Sequence, residues 1–278
     1  TGTGAGTIAF NSTLNGAQNL TLTADLGNID FDGIVGTTRL GDVDVVSVAS
    51  LTADAAFSAA TFTQQAGSGT TTFTGALNTN AVGGVSITGT NLAVDNTITT
   101  TASGPVFTDL SGTATIAAAG DISSDGAVTL DADGGISTAG DVTTTADAIT
   151  FNDATTLTGA VALNTGTGAG TIAFNSTLNG AQDLTLTAGL GNIDFDGIVG
   201  AAALLGDVDV VSVASLTADV AFSAATFTQQ AGTGTTTFTG ALTTNAVGGV
   251  SITGTNLAVN STITTTASGP VFTDLSGT

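Results

Sequence analysis

The sequence contains no histidine, cysteine, methionine, tryptophan or tyrosine. Lysine and glutamate are missing too, so all 22 acidic residues are aspartate and the one basic residue is Arg39. Each absence removes a chemistry. Without imidazole, thiol or amine there is no ordinary general base, covalent nucleophile or Schiff-base former. Zinc and copper lose their usual nitrogen and sulfur ligands. A single cation cannot neutralise a run of phosphates, so nucleic acid is excluded as a partner. No apolar run reaches the ~18 residues of a membrane helix. A transmembrane barrel lacks the Trp and Tyr of its interfacial girdles. Zero Cys leaves the redox compartment open, while the lack of oxidisable side chains suits a secreted protein.

What remains is a chain of 278 residues with a net charge of −21, 41% hydrophobic residues and 39 glycines. High charge alone argues for disorder, but the mean hydropathy of +0.44 argues against it. Val, Ile, Leu and Phe are numerous enough to bury a core. Thr, Val, Ser and Gly dominate where helix formers are missing, and Thr and Val suit a pleated strand. The composition therefore predicts an all-β protein.

Self-similarity organises the chain. Residues 1–113 return as residues 165–278, with one insertion where TTRL (37–40) becomes AAALL (201–205). Residues 114–164 occur once, so the unit is about 164–165 residues and the chain shows about 1.7 of them. We read residues 1–164 as the first long repeat and residues 165–278 as a second, incomplete copy. The pattern is entered and left midway, as in a segment of something longer. No Pro-rich or charged linker separates the copies, which favours one continuous solenoid over separate domains.

Within the unit, short alternating runs recur every ~8–12 residues. They include TIAF (7–10), NLTLTA (19–24), NIDFDG (28–33) and DVDVVSV (42–48), punctuated by Gly, Asn, Asp and Ser. Alternation aims Ile8 and Phe10, Leu20 and Leu22, Ile29 and Phe31, and Val43 and Val45 to one side, with Thr, Asn and Asp on the other. Such a thin apolar face fits a right-handed parallel β-helix, a β-solenoid, of ~20 residues per rung. At ~4.8 Å per rung this gives ~14 rungs in a rod of ~65 Å, with the long unit repeating every ~40 Å. A string of β-sandwiches is the structural alternative. Its long strands and buried Trp or Tyr are not seen.

The strongest chemical motif is Asn28-Ile-Asp30-Phe-Asp32-Gly33, repeated as Asn192-Ile-Asp194-Phe-Asp196-Gly197. It matches the first six positions of a calcium loop. The bidentate Glu of position 12 is replaced by Arg39 in one copy and Ala203 in the other. Asn28, Asp30, Asp32, Asn192, Asp194 and Asp196 are therefore Ca2+ candidates, against a plain reading as outward residues of a strand. Stacked rungs also threaten to place like charges ~5 Å apart, which would call for salt or divalent screening. No cofactor is required.

Aspartate pairs can cleave glycosides. A duplicated surface served by one unrepeated Arg39 argues for a repeated scaffold and against an enzyme. Thr-x-Thr triplets at 21–23, 61–63 and 72–74 read as solvated β-formers, with ordered water or ice as the functional alternative. TGTGAG (1–6, 165–170) lacks a phosphate-binding fingerprint and reads as a flexible corner.

The phrases DLTLTAGLGNIDFDGIVG (183–200), ATFTQQAGTGTTTFTGAL (225–242) and GVSITGTNLAV (249–259) resemble filamentous-haemagglutinin-like adhesins and related β-strand-repeat exoproteins of bacteria. The resemblance spans essentially the whole chain and lies in repetitive style rather than in a catalytic signature. It implies a right-handed β-helix, an extracellular or cell-surface location, and a structural role in adhesion, matrix or filament building. Self-association end to end or laterally would be expected, with surface glycans as further partners and a carbohydrate- or ice-binding module as the alternative. No functional residue is carried over.

Overall fold

A computed structural model describes residues 4–277. These residues are all β, with 33 short strands and no helix. The chain forms two compact units, Thr1–Gly140 and Asp141–Thr278. Both are β-solenoids of parallel strands, and the winding amounts to about 13 turns.

Each turn of the first unit has three strand positions. One column runs Ile8, Ile29, Leu51, Thr71, Leu92, Ala114 and Ile136, each paired with the next. The second runs Val35, Phe57, Leu77, Ile98 and Ile122. The third runs Leu20, Val43, Phe62, Val85, Val106 and Val128. A parallel pair needs a long crossover, and here the rest of the coil supplies it.

The turn is slightly longer than the 20 residues expected, and so the turns are fewer. Stacked partners lie from 19 to 25 residues apart. Part of this variation comes from register shifts between Leu22 and Thr23 and between Val35 and Leu40.

The second unit repeats the scheme. Its columns include Ile149–Ile172–Ile193–Leu216–Thr236–Leu257 and Val161–Leu184–Val208–Phe227–Val250–Val271. The boundary between the two sequence copies, at residues 164 and 165, falls inside this unit. Pairing crosses it without interruption: Asn164 lies opposite Thr187, and Phe151 opposite Phe174.

Alternation fills the interior. Ile29, Phe31, Val43, Val45, Phe57 and Phe62 are all buried. All phenylalanines but Phe107 and Phe272 belong to two internal ring series. One joins Phe10, Phe31, Phe57, Phe62 and Phe73, with centroids 4.9–5.5 Å apart. The other begins with Phe151, Phe174 and Phe195, whose rings stack at 4.9 and 5.4 Å. Stacked and edge-to-face pairs at these distances add to the burial of the rings themselves.

Glycine is demanded where coils touch at corners. A Cβ on Gly191 would sit 1.9 Å from the Gly170 carbonyl oxygen, so any side chain there forces the two coils apart. The second TGTGAG corner is held rather than loose: the buried Thr165 hydroxyl donates to the Gly170 carbonyl at 2.9 Å, and Gly166 N–H donates to Asn164 Oδ1 at 2.7 Å. In the first copy of this corner, residues 1–3 lie outside the described residues.

Candidate functional site

The calcium-loop motif lies on strands. In the first copy Asp30 belongs to the strand Ile29–Phe31 and points outward between Ala9 and Thr52 of the adjacent turns. Ile29 and Phe31 are buried, whereas Asn28 and Asp32 are exposed. The second copy matches: Asp194 lies between Ala173 and Thr217. The backbone of the motif is committed to the ladder. Asn192 O accepts from Ile172 N–H at 2.9 Å, and Asp196 N–H donates to Phe174 O at 3.0 Å. Alternate residues of an extended strand are ~6.5 Å apart, whereas calcium ligands must converge to 2.3–2.6 Å from one ion. Among the described residues no group of three or more acidic side chains is placed to hold a metal ion.

One carboxylate is perturbed. Burial raises the pKa of Asp194 above its ordinary value of 3.8. The nearby Asp196 and Asp219 charges push the same way, and a hydrogen bond with Thr217 partly offsets them.

Elsewhere the stacking separates the acids. Asp42 accepts from the Thr61 hydroxyl of the next turn at 2.9 Å, and Asp44 accepts from Gln65 Nε2 at 2.8 and 2.9 Å. Asp207 with Thr226 and Asp209 with Gln230 reproduce both contacts. The expected face-to-face rows of like charge are thus replaced, at these positions, by carboxylates capped with neutral donors. At Asp194 with its two neighbours repulsion survives.

Arg39 is a strut. Its Nη1 donates to the carbonyls of Ala59 at 2.9 Å and Asn78 at 2.8 Å, tying it to two further turns. It answers backbone dipoles through these bonds, and the second copy has Ala203 in the corresponding segment.

Sequence reading missed the polar groups that point inward. Gln64 is 1% exposed; it accepts from the buried Thr71 hydroxyl at 2.7 Å and donates to Thr88 O at 3.2 Å. Gln229, Thr236 and Thr253 repeat this arrangement. Gly67 leaves room for it, since a Cβ there would lie 2.6 Å from Gln64 Nε2. A sequence signal existed: QQ follows Thr-Phe-Thr at 61–65, and strict alternation from Phe62 makes Gln64 inward.

The surface offers shallow grooves. One of about 300 Å³ is lined by Gln230, Ala231, Gly232, Thr253, Gly254, Asp274 and Ser276. Carboxylates, amides and hydroxyls there can accept and donate hydrogen bonds.

Fold and surface together define a parallel β-solenoid with repeated polar faces. Comparison with protein-family models, with curated proteins and with solved structures finds no match.

Proposed function

We propose that this chain is a structural repeat segment of a bacterial extracellular fibre or adhesin. It is a non-catalytic scaffold whose copies follow one another without a linker, with no cofactor required. One observation carries this reading: strand pairing runs unbroken through the copy junction at 164 and 165. A unit that can dock on its own successor is suited to building length.

The likeness to filamentous-haemagglutinin-like proteins supports a surface or extracellular setting, where a long scaffold spans distance and associates with its own kind. The composition agrees, because no residue that oxidises easily is used. Negative-stain images and fibre diffraction of the purified protein test the proposal. Filaments with a ~4.8 Å meridional repeat are expected. Dispersed monomeric particles at all concentrations and salt strengths would refute it.

A second reading rests on the outward threonines. Thr52 stacks on Thr72 and Thr217 on Thr237 across neighbouring turns, presenting regular hydroxyls. A glycan-array or ice-affinity signal lost on replacing these residues by lysine would favour a carbohydrate- or ice-binding module instead.

A further inference from the structure

One strand of the first unit is filled against the hydrophobic pattern. Val106 and Leu110 are each 1% exposed and fix the alternation of the strand Val106–Leu110. Alternation then sends Thr108 inward, at 0% exposure, and Phe107 outward, at 41%. Transfer from water favours the opposite, since a phenyl ring gains far more from burial than a hydroxyl does. The buried hydroxyl is satisfied: Thr108 Oγ1 donates to Asp131 O at 3.2 Å and accepts from Asp131 N–H at 2.9 Å. The ring has no such compensation. It lies between Ser86 and Thr129 of the two adjacent turns, so it is exposed on a strand that is paired along both edges.

The carboxylates of this face are of two kinds. Asp42 and Asp44 are capped by the Thr61 hydroxyl and the Gln65 amide of the next turn. Asp109 shares the outward face of its strand with Phe107, two residues further along. Its neighbours across the turns are Thr88 and, beside the Leu110–Ala132 bridge, Asp131. Among the described residues no hydrogen bond caps the Asp109 carboxylate. An exposed ring and an uncapped carboxylate thus rise from positions ~6.5 Å apart on one strand, with a second acidic residue ~4.8 Å away on the next turn.

We infer that the face around Phe107 and Asp109 docks an arginine side chain of a basic partner protein. A guanidinium is planar and stays charged, so it stacks on an aromatic face while its fork of N–H groups pairs with a carboxylate. Placed here it covers the ring, supplies the donors that Asp109 lacks and relieves the repulsion between Asp109 and Asp131. Lysine offers a point charge without the flat surface or the fork. The one arginine of this sequence is already engaged with two backbone carbonyls, so the occupant belongs to another chain. A second copy is a poor occupant, because it would set its own Asp109 and Asp131 against the first pair. The charge of −21 instead draws basic surfaces in and speeds their encounter. A neutral sugar also stacks on a ring, but it leaves the adjacent charges of Asp109 and Asp131 unanswered.

This inference goes beyond the scaffold reading and stands or falls separately from it. The test uses the full chain carrying Phe272→Thr, which removes the second VFTDL run as a competing site. The probes are short labelled peptides that alternate glycine with arginine or glycine with lysine. Fluorescence anisotropy follows them at about 150 mM salt, where long-range attraction is screened. The arginine peptide should bind about threefold tighter than the lysine peptide, or better. Phe107→Thr should remove that preference. Asp109→Asn should weaken the arginine peptide about threefold. Asp54→Asn, which removes one exposed charge at another corner, should leave both affinities almost unchanged. The replaced side chains are exposed or half-exposed, so the fold is retained, as melting curves matching the parent will verify.

Equal binding of the two peptides overturns the proposal. So does an arginine preference that survives Phe107→Thr, or a loss from Asp54→Asn as large as that from Asp109→Asn. A glycan-array signal abolished by Phe107→Thr, without any arginine preference, overturns it and gives the face to a sugar. Self-association abolished by Phe107→Thr overturns it as well, because the face then receives a second copy.

Discussion

Replacing Gln64 by leucine tests whether the interior is held by polar contacts as well as apolar ones. The substitution keeps the side-chain volume close and removes only the amide. Two hydrogen bonds are lost, to Thr71 and to Thr88 O, at about 1 kcal/mol each. The larger cost lies in what is left behind. The Thr71 hydroxyl is buried at 1% exposure, and each abandoned group of this kind costs about 1–3 kcal/mol. Gln64→Leu should therefore destabilise the first unit by roughly 3–5 kcal/mol. Thr71→Val alone strands only the Gln64 carbonyl and should cost about 1–2 kcal/mol. In the double variant the apolar side chain brought in by Thr71→Val would sit between Leu51 and Leu92, completing an apolar column. The double variant should then be more stable than the sum of the singles by at least about 1 kcal/mol. Urea denaturation gives the cycle, and amide exchange in Thr70–Phe73 localises it. The matching network around Gln229 lies in the other unit and serves as an internal reference that should not change. Strict additivity, or a neutral Gln64→Leu, would refute the argument.

Arg39→Ala removes two charge-assisted bonds to backbone carbonyls, and a half-exposed site should make this cost about 2 kcal/mol; a melting curve identical to the parent would show that the strut is idle. Asp194→Asn should stabilise the protein at pH 7, because a raised pKa means that the folded state disfavours the charged form. That gain should shrink as pH falls through the raised value towards 3.8 and vanish below it, where the carboxyl is protonated folded and unfolded alike; an equal gain at pH 3 and pH 7 contradicts the assignment. Gly191→Val should cost at least about 3 kcal/mol by driving the corner apart, and thermal melts that match the parent would disprove the close approach. Excess EDTA should leave the melting temperature within about 1 °C; a clear drop would identify a bound divalent ion.

Much of the fold is legible in short runs of sequence. The alternation at Ile29 and Phe31 or at Val43 and Val45 fixes which face is buried, because a strand has period two whatever it pairs with. The copy junction is legible for the same reason, since ordinary strand sequence continues through it. Turn length is less so: the shifts at Leu22 and Val35 depend on how neighbouring coils meet, which no local pattern records. The chemistry of the faces is harder again. Whether Asp42 meets another acid or Thr61 depends on register between residues 19 apart, so a charge count overstates the repulsion. Thr71 lies two residues before the buried Phe73, so alternation places it inside, but only the partnership with Gln64 explains a hydroxyl there.

The strut at Arg39 also bears on how the chain meets proteases. Proteases that cut after basic residues find one target, the bond between Arg39 and Leu40, within the strand Val35–Ser47. The side chain that would enter the protease pocket is held by two carbonyls, and Leu40 is 5% exposed. A trypsin-like enzyme must therefore unravel part of the coil before it can cut at all. At a given amount of enzyme, digestion should follow the fraction of molecules in which that strand is open.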